Sequence, residues 1–221
     1  MKTLDPAIEG AKQAVTRAVF LDRDGVINRK PPEGEYVTRW EDLHVLRGAA
    51  EAIALLNAAG FLVIVVTNQR CIAKGLITSV ELEKLHQQMS DLLRRDGAIV
   101  DAIYLCPHEM EPVCRCRKPA PGMLLDAAHA HDIDLAASWM IGDSEIDIAA
   151  GKNAGCKTVW LVSGNETVDV GESAGTKPGD ADMVAPSLLD AIRKILQRDR
   201  DSAGSADSGH HVLSATRSQS F

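Results

Sequence analysis

The 221-residue chain is 45% hydrophobic and 25% charged, a balance that supports a packed core and excludes a disordered or fibrous class. Its formal net charge of -7 argues against a nucleic-acid partner held by bulk electrostatics, so a phosphorylated ligand needs cations gathered locally. No apolar stretch approaches the roughly 20 residues of a membrane span, and residues 1–15 mix charge and proline without a signal-peptide core, which predicts a cytoplasmic protein.

After that N-terminal extension, Ala18-Val19-Phe20-Leu21 reads as a buried strand running into Asp22-Arg23-Asp24-Gly25. Residues 28–44, with Pro31-Pro32 and Gly34, break the pattern and read as a flap over a site. An Ala/Leu-rich helix over 48–58 stops at Gly60, and the apolar run 61–66 is a second strand ending in Thr67-Asn68-Gln69. Val80, Leu82, Leu85, Met89 and Leu92-Leu93 recur at helical spacing and predict a helix over 79–95. A third strand over 102–105 leads into a cysteine-rich loop and Lys118, followed by a helix over 121–131. A fourth strand, 139–141, ends in Gly142-Asp143, with Asp147 inside the helix predicted over 145–153. Strands over 158–162 and 183–184 and a helix over 187–198 complete one domain, residues 16–198. Residues 199–221, rich in Ser, Ala, Asp and Gly, read as a disordered tail in which His210-His211 is incidental. Continuous apolar strands alternating with helices predict an α/β fold: a doubly wound, mainly parallel sheet without a large cap domain.

Parallel sheets bind ligands at the carboxyl ends of their strands. Four separate loops here bring carboxylates, a hydroxyl and an ammonium to that edge. Asp22 and Asp24, two residues apart beside a buried strand, repel each other and lose hydration, costs that a divalent cation relieves. A carboxylate so placed attacks phosphorus to give an aspartyl-phosphate, and the second carboxyl serves as acid and then base. Asp143 completes the protein ligands of a Mg²⁺ ion, Lys118 offsets phosphoryl charge, and Thr67 donates to a phosphate oxygen.

The five cysteines include three between positions 106 and 116, in the pattern C-x-H-x5-C-x-C formed by Cys106, His108, Cys114 and Cys116. Three thiolates and an imidazole make a closed tetrahedral Zn²⁺ shell, which is structural because no position is left for water. Cys71 and Cys156 stand alone and read as packed or partly exposed thiols.

The segments Phe20 to Asn28, Val66-Thr67-Asn68-Gln69, Lys118 and Ile141-Gly142-Asp143 resemble the four motifs of the haloacid dehalogenase-like (HAD) superfamily. The resemblance implies Asp22 as nucleophile and Asp24 as general acid/base, with Mg²⁺ held by Asp22, Asp143 and the backbone carbonyl of Asp24. It leaves Asp147 an auxiliary group. It favours a phosphatase over a dehalogenase, because dehalogenases of the superfamily lack the second aspartate. The added zinc loop is similar to that of a narrower group of heptose-bisphosphate and histidinol-phosphate phosphatases. Residues 72–75 and 118–125 look like the heptose type, whereas the short zinc-loop spacer and Pro31-Pro32 look like the histidinol-phosphate type.

By the same resemblance Asn68, Gln69, Arg117 and Lys118 contact substrate, and Arg23 joins them. Arg70-Cys71 stands where the heptose pattern has Ser-Gly, so Arg70 adds a cation that grips a second phosphate or changes which sugar fits. Glu35 and Tyr36 of the flap line the sugar pocket. The expected partner is a small phosphorylated metabolite, a sugar bisphosphate first, met by a monomer. A competing expectation is a non-catalytic protein that senses a phosphorylated ligand.

Overall fold

The computed structural model describes residues 15–111, 113–162 and 180–207, with side chains described as far as residue 201. The N-terminal extension before Val15, Pro112, and the tail beyond Asp207 with its histidine pair lie outside the described residues.

Among the described residues six strands are formed where the apolar runs predict them: β1 (Ala18–Leu21), β2 (Leu62–Asn68), β3 (Ala102–Cys106), β4 (Trp139–Gly142), β5 (Lys157–Leu161) and β6 (Met183–Ala185). They make one parallel sheet in the order β3-β2-β1-β4-β5-β6. The chain builds outward from β1 through β2 to β3, then crosses back to place β4 on the other side of β1. The point where strand order reverses therefore lies between β1 and β4, the place where open α/β sheets hold ligands.

Among the described residues five helices cover the sheet: α1 (Ala49–Ala58), α2 (Ser79–Arg95), α3 (Gly122–His131), α4 (Glu145–Ala154) and α5 (Leu188–Asp207). Alternation along the central strand sorts them. Val19 and Leu21 pack with α1, α2 and α5, while Ala18 and Phe20 pack with α3 and α4. Both faces of β1 are therefore dry, which is why its sequence is apolar without interruption. Helix α2 starts on a capping box: the Glu81 N–H donates to Thr78 Oγ1 at 3.2 Å, and the Thr78 N–H donates to Glu81 Oε2 at 2.9 Å. Its buried face carries Leu82, Leu85, His86, Met89 and Leu93, whereas Val80 is turned to solvent.

Two predicted boundaries differ by more than one residue. Helix α5 continues past Arg198 to Asp207, into the segment read as a tail; Gln197 donates to Asp201 one turn on, at 2.8 Å. Thr67 and Asn68 belong to β2, because their pairing with Leu105 and Cys106 extends the ladder beyond the apolar run. The predicted flap is a closely held loop in which Val37 and Leu43 are buried and a single 3₁₀ turn spans Trp40–Asp42. Among the described residues no helix is long and apolar enough to cross a membrane.

Candidate active site and metal centres

β1 and β4 end side by side, the Asp22 N–H donating to the Ile141 carbonyl at 3.0 Å. This puts Asp22 and Asp143 across the switch point from each other. Two glycines make the approach possible. Gly25 has φ +93°, and a Cβ there would lie 2.3 Å from Asp143 Oδ2. A Cβ on Gly142 would lie 2.1 Å from Asp147 Cβ, so only glycine lets the first turn of α4 bring its carboxylate so close. The result is a group of three carboxylates, Asp22, Asp143 and Asp147, whose ligand oxygens lie within 4.8 Å of one another.

Lys118 reaches this group from the loop before α3. Its buried ammonium lies 2.7 Å from Asp22 Oδ1 and 2.6 Å from Asp147 Oδ1, and donates to the Val66 carbonyl at 2.8 Å. The reach is set by Asn68, whose amide accepts from the Lys118 N–H and donates to the Lys118 carbonyl, both at 3.1 Å. Asp147 divides its work: one oxygen faces Lys118 and the other accepts the Ser144 N–H at 3.2 Å, capping α4. Lys30 of the flap places its ammonium 2.7 Å from Asp143 Oδ2.

The electrostatics follow from burial and neighbours. Burial pushes Asp22 up to about 7; Lys118 opposes this, while Asp147 and Asp24 add to it. Burial likewise raises Asp143, with Lys30 opposing. For Lys118, burial works against the charge, but Asp147 and Asp22 outweigh it and hold the ammonium protonated. Asp24 is the opposite case to Asp22. Burial acts to raise it, but the Arg23 charge and N–H donors from Asn28, Arg23 and Gln69 hold it below the ordinary carboxylate range.

Asp24 lies in a cage of nitrogen donors. Arg23 donates from Nη2 to both its oxygens at 2.8 Å and from Nε to one at 3.1 Å. Asn28 Nδ2 adds a bond at 2.9 Å and Gln69 Nε2 another at 3.1 Å. Arg23 is fully buried, with Nη1 3.0 Å from His86 Nε2. Buried there, it holds the Asp24 carboxylate. Gln69 is held in the same way: its amide bridges Asp24 and Thr67 Oγ1 and accepts from the Cys71 thiol. Asn68 is committed at both ends to the Lys118 backbone. Thr67 stays at the site edge, its hydroxyl accepting from Gln69 at 2.8 Å.

Farther out, Arg70 Nε donates to Tyr36 Oη at 3.0 Å and lies 3.5 Å from Glu109. Tyr36 also packs on the core, while Glu35 faces solvent. Arg117 Nη1 approaches the His108 carbonyl at 3.4 Å. Lys30, Asn28 and His86 were not singled out by sequence. The signal for His86 was a polar residue on the apolar stripe of α2; for Lys30, in a loop without periodicity, there was none.

The cysteine loop gathers as predicted. Cys106 closes β3, and His108 Nδ1, Cys114 Sγ and Cys116 Sγ turn back on it with separations of 3.3 to 3.5 Å. A tetrahedron with metal–sulfur bonds of about 2.3 Å has edges of about 3.8 Å, so the donor set fits a Zn²⁺ ion after slight expansion. Burial and the neighbouring thiols push Cys116 up to about 12, so the loop cannot shed all its thiol protons without a cation. Cys71 and Cys156 are buried thiols, as expected.

A sequence model described as HAD-hydrolase-like matches residues 115–191. A D-glycero-beta-D-manno-heptose-1,7-bisphosphate 7-phosphatase of Bordetella bronchiseptica is 40% identical over 146 residues, covering 66% of this chain and 80% of that one. The enzyme of the same name from Yersinia pestis is 38% identical over 189 residues, covering 82% and 96%. The chain belongs to the HAD-like hydrolase family.

Within that family it is a phosphatase. The crystal structure of the D,D-heptose 1,7-bisphosphate phosphatase from B. bronchiseptica, complexed with magnesium and phosphate, superposes with a TM-score of 0.73 at 35% identity, covering 83% of this chain and 99% of that one. A HAD-like phosphatase from Mesorhizobium loti superposes with a TM-score of 0.67 at 31% identity, covering 82% and 88%.

Proposed function

We propose that the chain removes the 7-phosphate of D-glycero-D-manno-heptose 1,7-bisphosphate, with Mg²⁺ at the switch point and Zn²⁺ in the cysteine loop. The observation that carries the chemistry is the convergence of Asp22, Asp143 and Asp147 at the switch point, with the Lys118 ammonium 2.7 Å from Asp22. The names of the relatives support the substrate, as does the superposition on an enzyme holding magnesium and phosphate.

The carboxylates of Asp22 and Asp143 and the Asp24 carbonyl would hold the magnesium, with Asp147 bracing Lys118 behind them. Lys30 already sits as a cation on Asp143, marking the place as one that favours positive charge. Bound there, Mg²⁺ relieves carboxylate repulsion and draws charge from phosphoryl oxygens. Asp22 Oδ1 is fixed by Lys118, and among the described residues Oδ2 has no partner, so it is the oxygen that attacks. As the Asp22–phosphorus bond forms, the bond to the sugar oxygen breaks, and the leaving alkoxide takes a proton that Asp24 must first pick up from solvent, because its donors hold the resting form ionised. Asp24 is then the carboxylate seen here, the form that removes a proton from water attacking the aspartyl-phosphate. Lys118 offsets charge on the transferring group, and the Thr67 hydroxyl lies within the same strand end.

Arg70 and Arg117 are our candidates for the second phosphate, since both carry guanidinium groups suited to bidentate phosphate binding. We take the catalytic unit to begin near Thr16 and to include α5 as far as Asp207, and to act as a cytoplasmic monomer. Phosphate release from heptose 1,7-bisphosphate, fructose 1,6-bisphosphate and histidinol phosphate, measured with Mg²⁺, tests the reading. The heptose ester should have the highest kcat/KM; a preference for histidinol phosphate would overturn the substrate assignment while leaving the chemistry intact.

A further inference from the structure

His86 is buried, lies beside the site and has no task in the chemistry above. It comes from α2, an element that contributes none of the motif residues, and its neighbours Leu82, Leu85 and Met89 anchor that helix in the core. Its Nε2 lies 3.0 Å from Arg23 Nη1. A guanidinium has donors only, so Nε2 must be the acceptor and the ring is neutral with its proton on Nδ1.

That contact sets the plane of a planar group. Arg23 spends Nε and Nη2 on Asp24, and the fork fits a carboxylate in one orientation. With Nη1 held by His86, the fork cannot rotate, and the Asp24 carboxylate cannot turn about its own axis without breaking it. Asn28 and Gln69 bind the same two oxygens and reinforce the direction. Among the described residues, the side of Asp24 left open, about a fifth of its side-chain surface, is the one from which a reacting oxygen can approach.

We propose that His86 is a positioning residue for phosphoryl transfer: through the Arg23 guanidinium it aims the Asp24 carboxyl at the leaving oxygen and then at the attacking water. This rests on the assignment of Asp24 as general acid and base. It predicts that loss of His86 hurts esters whose leaving group needs a proton and spares those whose leaving group does not.

The test compares wild type, His86→Phe, which has no acceptor, and His86→Gln, whose amide oxygen restores one. Each is assayed for kcat/KM, which covers the steps through transfer to Asp22, on an alkyl phosphate that wild type hydrolyses and on 4-nitrophenyl phosphate. His86→Phe should lose about tenfold or more on the alkyl ester and about threefold or less on the aryl ester, with His86→Gln recovering most of the loss. Equal losses on both esters, or none on either, in protein shown folded by circular dichroism would overturn the proposal. If His86→Phe does not fold, Arg23→Lys, which keeps the charge but not the fork, must give the same leaving-group pattern or the proposal fails. Wild type that hydrolyses neither ester overturns the phosphatase chemistry and this inference with it. Active wild type with an inactive Asp24→Asn but an unaffected His86→Phe sinks the inference alone.

Discussion

Lys118 holds Asp22 by one oxygen, its ammonium 2.7 Å from Oδ1, while its own carbonyl and N–H are clamped by Asn68. The lysine is thus a fixed strut between Asp22 and Asp147, and its side chain is only 2% exposed. Replacing Lys118 with Ala should lower phosphate release by about 10²- to 10³-fold, as for loss of other preorganised charge. It should also destabilise the fold by about 3 kcal/mol, because two buried carboxylates lose their shared partner. Steady-state kinetics and urea denaturation check the two effects separately; an unchanged kcat would contradict the strut.

Asp22→Asn removes the attacking oxygen's charge but keeps its shape. Activity should drop below detection, with the melting temperature within a few degrees of wild type, since the substitution also removes a carboxylate that burial penalises. Wild type quenched during turnover and treated with hydroxylamine should yield the hydroxamate of Asp22, and the variant should not.

The cysteine loop should carry about one zinc per chain by metal analysis. Cys114→Ser together with Cys116→Ser should abolish that zinc and lower the melting temperature, because Lys118 follows the last ligand by two residues and loses its anchor. Protein purified without added metal and found free of zinc would argue that the cluster is a set of reduced thiols.

Acid should weaken the fold through His86. Burial, with the Arg23 charge next, lowers His86 from its ordinary value near 6.5 to about 3. The unfolded chain therefore binds a proton that the folded chain refuses. The stabilising difference is complete above about pH 6.5 and is lost as pH falls from there toward 3. Melting curves between pH 7 and pH 4 should show wild type losing more stability than His86→Phe; parallel losses would mean that the imidazole takes up its proton without opening the structure.

Much of this was legible from residue order alone. Ala18-Val19-Phe20-Leu21 announces a strand buried on both faces, because only a sheet covered twice tolerates an unbroken apolar run. The polar groups that follow each run mark the ligand edge, and Cys106, His108, Cys114 and Cys116 announce a cluster of metal-type donors by chemistry and count. The strand order, the distances at the switch point and the direction of every side chain needed the tertiary structure. Arg23, Asn68 and Gln69 sit inside motifs and look like substrate contacts, yet each spends its hydrogen bonds on a neighbouring protein group, a choice between partners that linear order does not record. His86 and Lys30 lie outside the motifs and meet the site only because α2 and the flap fold back over it. Sequence determines which chemistries are present; packing decides which donor meets which acceptor, since that depends on angstroms contributed by residues far apart in the chain.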